Sequence, residues 1–367
     1  MEKKARFTFF NVGQGDATLL ELPSGKFMLI DNKGGGKIDV RKYLKSILPK
    51  RGDKHCLDYF MLTHAHADHV GSVNELFDEF DIGEIWYTGF EFKKKEEKDL
   101  PEQYKEFLKK IKEREDSHSD KDIAVEKDVL TFDIGDVKFE FLSPPARYVW
   151  DNLKESEEVK AYLKVLEKTI EKGSDKSLSD LIHIGSVICR ITYMNSSVLI
   201  TGDSELLAWK YWVMSNFSEF CSSKLLHASH HGSKGFFISQ ADSKKDEAFD
   251  ANTEGCYLDG LLAISPSIVI VTNNTKPGEK DHTSPPNEYA LKLYESFKNT
   301  KRDVRFTSDG SIQYVIPDEE ISKLDIDTDK RFEVDDSKKS LFNKAFVPTN
   351  LKFPDKPLVP NKPGRFA

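Results

Sequence analysis

Short apolar runs broken by glycine and aspartate turns mark the first quarter of the chain. Phe7–Phe10 is apolar, Asn11-Val12-Gly13-Gln14-Gly15-Asp16 is a glycine turn, and Ala17–Leu22 resumes as a strand. Pro23-Ser24-Gly25-Lys26 reads as a hairpin turn into Phe27–Ile30, which ends in Asp31-Asn32. The pattern predicts an opening antiparallel meander. Asp39–Leu48 has helical spacing and is closed by Pro49. Leu57–Leu62 is an apolar run of buried-strand length, and Val70, Val73, Leu76, Phe77 and Phe80 then recur at helical spacing. Ile85-Trp86-Tyr87 is a further short strand.

Beyond residue 90 the pattern changes. Lys93-Lys94-Lys95-Glu96-Glu97-Lys98 is dense in mixed charge, and Tyr104–Glu115 predicts an exposed helix with Tyr104, Phe107, Leu108 and Ile111 on one face. Strand patterns return at Val129–Phe132 and Val137–Leu142, stopped by Ser143-Pro144-Pro145. Tyr148–Lys172 predicts a charged amphipathic helix. Val187–Tyr193 and Ser197–Thr201 predict a hairpin ending in Gly202-Asp203, followed by a helical stretch, Glu205–Phe217. Lys224–Leu226 is a strand running into His227-Ala228-Ser229-His230-His231-Gly232. Ile268–Thr272 is a strand ending in Asn273-Asn274, and Asp281–Pro286 caps a helix over Asn287–Phe297. Val304–Phe306 and Ser311–Ile316 predict a last hairpin around Asp309-Gly310. The expected organisation is one domain over 1–316, with insertions at about 91–127, 146–180 and 233–260. A polar, proline-bearing tail over 317–367 is expected to be extended or disordered, with Phe342, Phe346 and Phe353 as candidate anchors on this body or on a partner.

Composition changes this picture in two ways. The 367 residues carry 54 Lys and Arg against 62 Asp and Glu, a net charge of −8, which argues against a body basic all over. The four cysteines form no C-x-x-C pair and read as free thiols of a reducing compartment. No signal-like segment opens the chain and no apolar run approaches membrane-spanning length, so a cytoplasmic protein with no membrane partner is expected.

The candidate chemistry concentrates in Thr63-His64-Ala65-His66-Ala67-Asp68-His69. Three of the ten histidines and an aspartate fall within six residues, on a turn between a strand end and a helix start. Such a turn can aim His64 and His66 at one ion while Asp68 and His69 reach a second. Asp31, Asp203, His230 and Asn273 likewise follow strands. Residues at strand ends on one edge converge on one surface.

These residues carry a resemblance. Asn11–Asp16, Leu29-Ile30-Asp31, Thr63–His69, Thr201-Gly202-Asp203, His230-His231-Gly232-Ser233 and Asn273…His282…Pro285 stand in the order found in the metallo-β-lactamase superfamily, most closely its ComEC-type competence hydrolase domain. The resemblance implies a four-layer αββα sandwich of the α/β (α+β) class. It implies two divalent ions, Zn2+ or Mn2+: His64 and His66 on one, Asp68, His69 and His230 on the other, and Asp203 between them. Asp31 is expected to orient a ligand histidine, and Asp16 to support the site. Asp68, His231 and His282 are expected to serve the reaction, with His231 and His282 on the substrate side. Asn273 and Ser233 are expected to contact substrate or the supporting layer. Many relatives carry a further histidine ahead of the bridging aspartate. This chain has Ser143 in that segment, which leaves the His64/His66 ion one protein ligand short. His183 could fill that place, but reads as readily as a core or loop histidine.

The implied activity is phosphodiester or nucleic-acid hydrolysis by a hydroxide shared between the ions. Lys93–Lys95, Lys109-Lys110-Lys112 and Lys244-Lys245 are the candidate contacts for nucleic acid or nucleotide. A small-ester hydrolase, for a cyclic nucleotide, phosphocholine-type ester or lactone, keeps the chemistry and changes the pocket. A non-catalytic metal-binding partner module is the alternative of a different class.

Overall fold

Two sheets face each other in the computed structural model, which describes residues 3–114, 117–169, 176–238, 256–274, 285–297 and 300–333. The first sheet contains β1 (Ala5–Phe9), β2 (Thr18–Glu21), β3 (Phe27–Ile30), β4 (Lys50–Arg51), β5 (Lys54–Leu62), β6 (Phe80–Thr88) and β7 (Lys121–Ile123). The second begins with β8 (Leu130–Ile134), β9 (Val137–Ser143), β10 (Ile188–Tyr193), β11 (Ser196–Ile200), β12 (Leu225–His227) and β13 (Ile268–Val271). A short ribbon, β14 (Ser296–Phe297) with β15 (Thr300–Lys301), precedes β16 (Asp303–Phe306), β17 (Ile312–Ile316) and β18 (Glu320–Lys323). The first sheet runs β18-β17-β1-β2-β3-β5-β6-β7, with β4 on β5; the second runs β16-β13-β12-β11-β10-β9-β8.

Alternation along the strands explains the layering. In β2, Leu20 faces the other sheet while Leu19 faces the helices; in β5, Met61 does the first and Phe60 and Leu62 the second. Both faces of these strands are apolar, so both must be covered. Between the sheets, Trp86 of β6 meets Phe132, Phe139 and Phe141 of β8 and β9, with ring centroids 5.0–5.8 Å apart. Outside the first sheet lie Val40 and Leu44 of helix Val40–Ile47, Val73 and Leu76 of helix Val73–Glu79, and Tyr104, Phe107 and Ile111 of helix Glu102–Arg114. Outside the second lie Trp209 and Trp212, with Leu261 and Leu291. This is the expected αββα sandwich.

The opening meander is observed, with β1–β2 and β2–β3 antiparallel. Three expectations need correcting. Val304–Phe306 and Ser311–Ile316 are not a hairpin. β16 pairs in parallel with β13 in the second sheet, whereas β17 pairs with β1 in the first, so the Thr307–Asp309 turn crosses between sheets. A short loop with Asp-Gly signals a turn but not which sheet receives the next strand. The chain also stays in the fold past residue 316: β18 pairs with β17, and Phe332 is buried against Tyr43 with centroids 5.4 Å apart. Helix Glu102–Arg114 is not an exposed insertion, because its apolar face closes the core beneath the first sheet. The tail from 334 onward, Lys244-Lys245 and His282 lie outside the described residues. Cys56, Cys189 and Cys221 are free thiols, and among the described residues no helix is long and apolar enough to cross a membrane.

Gly71 ties the fold to the histidine turn. It closes helix Ala67–Val70 at φ 60°, ψ −142°, a conformation other residues hold poorly, and an added Cβ would lie 1.7 Å from Asn32 O. Gly71→Ala is therefore expected to cost more than about 2 kcal/mol, read as a lowered urea midpoint. A midpoint within experimental error of native would mean that the Asn32 loop yields freely.

Candidate metal centre

The C-terminal ends of parallel strands build the site. Asp31 follows β3, Thr63–His69 leaves β5, Asp203 follows β11, His230 and His231 follow β12, and Asn273 follows β13. β3 and β5 are parallel, as are β11, β12 and β13, so these ends share an edge. Backbone bonds fix the loops to one another. Asp31 N donates to Met61 O (2.8 Å), Asn32 N to His69 O (2.7 Å), Asp16 N to Asp68 O (3.1 Å), Val187 N to Thr63 O (2.9 Å) and His230 N to Gly202 O (3.0 Å).

Asp203 occupies the middle, almost wholly buried. Its Oδ2 faces His64 Nε2 at 3.5 Å, His230 Nε2 at 3.6 Å and His66 Nδ1 at 4.0 Å. Its Oδ1 faces His69 Nε2 at 3.2 Å and His231 Nε2 at 3.6 Å, and Asp68 Oδ2 lies 3.5 Å from the same His231 nitrogen. The remaining ring nitrogens are held from behind. Asp31 Oδ2 accepts from His69 Nδ1 at 2.7 Å and from Thr63 Oγ1 at 2.8 Å, while Asp31 Oδ1 accepts from Thr63 N. Thr63 Oγ1 also lies 3.0 Å from His64 Nδ1, and Thr272 Oγ1 lies 3.2 Å from His231 Nδ1. Glu205 Oε1 accepts from His230 Nδ1 at 2.8 Å. Asp16 approaches the rings from the same rear side, 3.7 Å from His69 Nδ1 and 3.6 Å from His231 Nδ1.

A cation-binding role can be tested on this donor set. His64 Nε2, His69 Nε2, His231 Nε2 and Asp203 Oδ1 are buried without a hydrogen-bond partner, although buried polar atoms are ordinarily paired. Ligand atoms of His64, His66 and Asp203 fall within 4.8 Å of one another, as do those of Asp16, His69, Asp203 and His231. Imidazole nitrogen and carboxylate oxygen suit Zn2+ or Mn2+ alike. The residues fit divalent cations.

The expected positions of the two adjacent histidines are reversed. His231, not His230, lies beside Asp68 and His69; His230 lies on the His64/His66 side. The reason is the backbone: His230 (φ 46°, ψ 52°) and His231 (φ 54°, ψ 29°) are both left-handed, which swings the two side chains to different sides of Asp203. Such a conformation costs on the order of 1–2 kcal/mol per non-glycine residue and is invisible in composition. His231 is therefore buried among the donors instead of standing on a substrate face. Ser233 Oγ accepts from Gly235 N as a turn cap. Asn273 is buried, its N donating to Thr307 Oγ1.

Glu205 was missed by the sequence reading, where it stood only as the start of a helix. Its one signal is its place two residues after Asp203. Thr63 and Thr272 were also missed as ring-orienting hydroxyls. His183 proves to be a neighbour of the site: its ring centroid is 5.0 Å from that of His66 and 4.6 Å from that of His230.

Without cations, protons must balance the acids. Burial opposes charging His69, but Asp203 and Asp31 outweigh it and hold its pKa well above the usual value. Burial is likewise outweighed at His230, by Asp203 and Glu205, which push it up to about 9, and at His231, by Asp203 and Asp16. For Asp203, burial is outweighed by the surrounding imidazoles, which keep it well below the carboxylate range. At His64 burial dominates and holds the ring neutral.

Residues 11–147 match the model of the family described as the Metallo-beta-lactamase superfamily. No curated protein matches. Among solved structures the chain is similar to Igni18, a metallo hydrolase of the hyperthermophilic archaeon Ignicoccus hospitalis, at 14% identity and a TM-score of 0.42, over 85% of this chain and 98% of that one. It is also similar to CmlA, a diiron β-hydroxylase of Streptomyces venezuelae, at 13% identity and a TM-score of 0.43, over 84% of this chain and 54% of that one.

The raised histidines set a pH signature for the metal-free protein. Their contribution to stability is complete below the ordinary histidine pKa of about 6.5 and is lost as pH rises through their higher folded values. Chelator-treated protein is expected to lose stability from about pH 6.5 to 8. Above that, Lys33, lowered by burial to about 8, titrates in the opposite sense. Metal-loaded protein is expected to gain stability over the same window, because cations compete with those protons. Urea midpoints across the range measure both slopes; a flat or rising metal-free curve would contradict the assignment.

Proposed function

We propose that this chain is a metal-dependent hydrolase of the metallo-β-lactamase superfamily, whose model matches residues 11–147, and that it cleaves a phosphodiester at a centre of two divalent cations, Zn2+ or Mn2+. The observation that supports this reading is the division of one buried carboxylate between two sets of imidazoles. Asp203 turns Oδ2 toward His64 and His66 and Oδ1 toward His69 and His231. In this reading His64 and His66 would hold one ion and Asp68, His69 and His231 the other, with Asp203 available to both.

Cations held there supply Lewis acidity, lowering the proton affinity of water and offsetting charge on the substrate's oxygens. The protein's own groups do the positioning. Asp31 accepts from His69 Nδ1, so that His69 presents its bare Nε2 forward, and Thr272 Oγ1 lies against His231 Nδ1. His64, His69 and His231 are sealed from water, whereas the side chains of His66 and His230 are each 23% exposed. Substrate therefore meets the centre across the His66/His230 edge.

A nucleotide-sized diester fits the surroundings better than a long strand. Among the described residues two lysines of the candidate basic patches carry acidic partners: Lys93 pairs with Asp151 at 2.9 Å and Lys110 with Glu113 at 3.9 Å. The groove beside Ala67 presents Lys33 and Arg41 among Glu75, Glu79, Glu102 and Glu106. A nuclease of the ComEC-type kind would need a cationic track along the strand.

Hydrolysis of an aryl phosphodiester with added Mn2+ or Zn2+ tests the reading. His64→Ala and Asp203→Ala are each expected to lower kcat/KM at least about a hundredfold. Full activity in both variants would remove this centre from the reaction. With a cyclic nucleotide the rate should respond weakly to salt. A preference for single-stranded DNA that falls steeply with salt would favour the nuclease instead.

A further inference from the structure

The two adjacent histidines after β12 face different oxygens of Asp203. We propose that His230 completes the His64/His66 cation site, which the chain otherwise leaves short because Ser143 stands where a histidine could have been, and that Glu205 positions it. The inference rests on the two-cation reading above.

Three observations carry it. His230 Nε2 comes within 3.6 Å of Asp203 Oδ2, the same oxygen that His64 Nε2 and His66 Nδ1 approach at 3.5 Å and 4.0 Å. The ring of His231 instead neighbours that of His69, with centroids 5.2 Å apart. Second, the backbone accepts two consecutive left-handed non-glycine residues, followed by Gly232 at φ 79°. That turn aims successive side chains in different directions, as a single donor would not require. Third, Glu205 treats His230 as Asp31 treats His69. Each carboxylate is buried, each accepts from Nδ1, at 2.8 Å and 2.7 Å, and each leaves Nε2 facing Asp203. A histidine whose rear nitrogen is held by a buried carboxylate is arranged as a metal ligand usually is. Gly235 is what lets Glu205 stand there, since a Cβ at that position would lie 2.1 Å from Glu205 Oε1.

His183 is the rival for the vacant ligand place. Its Nδ1 lies 3.4 Å from Glu205 Oε2, and neither of its ring nitrogens has a hydrogen-bond partner. A ring nitrogen of His183 comes within 4.8 Å of an Asp203 oxygen, against 3.6 Å for His230 Nε2, and its ring packs on those of His66 and His230.

Metal content after loading with Zn2+ and desalting, measured by elemental analysis, separates the assignments without reference to activity. Asparagine is the replacement at 230 because it tolerates the left-handed backbone. Native protein is expected to retain two equivalents and His230→Asn one. The double variant His64→Ala/His230→Asn should still retain one, because both changes strike the same ion. His69→Ala/His230→Asn should retain none. The opposite pattern of double variants, two equivalents in His230→Asn, or loss of the first ion in His183→Asn alone overturns the proposal. Zero equivalents in folded native protein would instead overturn the two-cation reading itself. Circular dichroism establishes folding for each variant. Glu205→Gln is expected to weaken one of the two Zn2+ affinities about 10–100-fold and leave the other unchanged. Equal weakening of both would overturn the positioning role.

Discussion

Everything at the site depends on one buried carboxylate. Asp203 sits among five imidazoles in a region closed to water on most sides. An isolated carboxylate there would carry a large desolvation penalty, and so would unpaired imidazole nitrogens. The arrangement is tolerable only if positive charge occupies the spaces between them, as protons on the raised histidines or as cations. Protons stabilise the metal-free fold, and cations compete for the same lone pairs. Binding and folding are therefore linked through one set of atoms.

The scaffold makes that crowding possible by fixing the approach of each loop. Parallel strands end together, and their loops are bonded across by backbone groups such as Asn32 N to His69 O and Val187 N to Thr63 O. The second of these joins the two sheets at the base of the site. Glycines stand where a side chain would collide with a neighbouring loop. Gly71 lies against Asn32, and at Gly15 (φ 122°) a Cβ would come within 2.4 Å of Asp68 O. The site is rigid because it is built on strand ends with the helices packed outside, and its strained turn at His230-His231 is held by that framework.

Charge is handled in layers around the donors. Asp31, Asp16 and Glu205 stand behind the imidazoles, and Thr63 and Thr272 supply hydroxyls between them. The forward nitrogens are thereby left for protons or cations. The exposed edge lies at His66 and His230, so the inner donors are protected while one side of the centre stays open. The groove beside Ala67 gathers Glu75, Glu79, Glu102 and Glu106 with Lys33 and Arg41, and Lys93 and Lys110 are each paired with an acid.

Much of this was legible in the chain. Short apolar runs broken by glycine and proline turns announced the opening meander and the buried strand at Leu57–Leu62, because side-chain period follows directly from backbone geometry. The His64–His69 cluster and the carboxylates at strand ends announced metal chemistry, because donor types and their places after apolar runs are written locally. Other features were not legible. The Asp309-Gly310 turn carries no mark of which sheet takes β17, since partner choice is settled by burial of the whole strand against β1. Phe107 and Ile111 looked like one stripe on an exposed helix until the sheet they cover was in place. The order of His230 and His231 around Asp203, and the part played by Glu205, depend on φ values and on a contact made possible by Gly235. The sequence by itself determined which groups were available for metal chemistry. The tertiary structure alone decided which imidazole faces which oxygen, because that choice is made by backbone dihedrals and packing that no local pattern encodes.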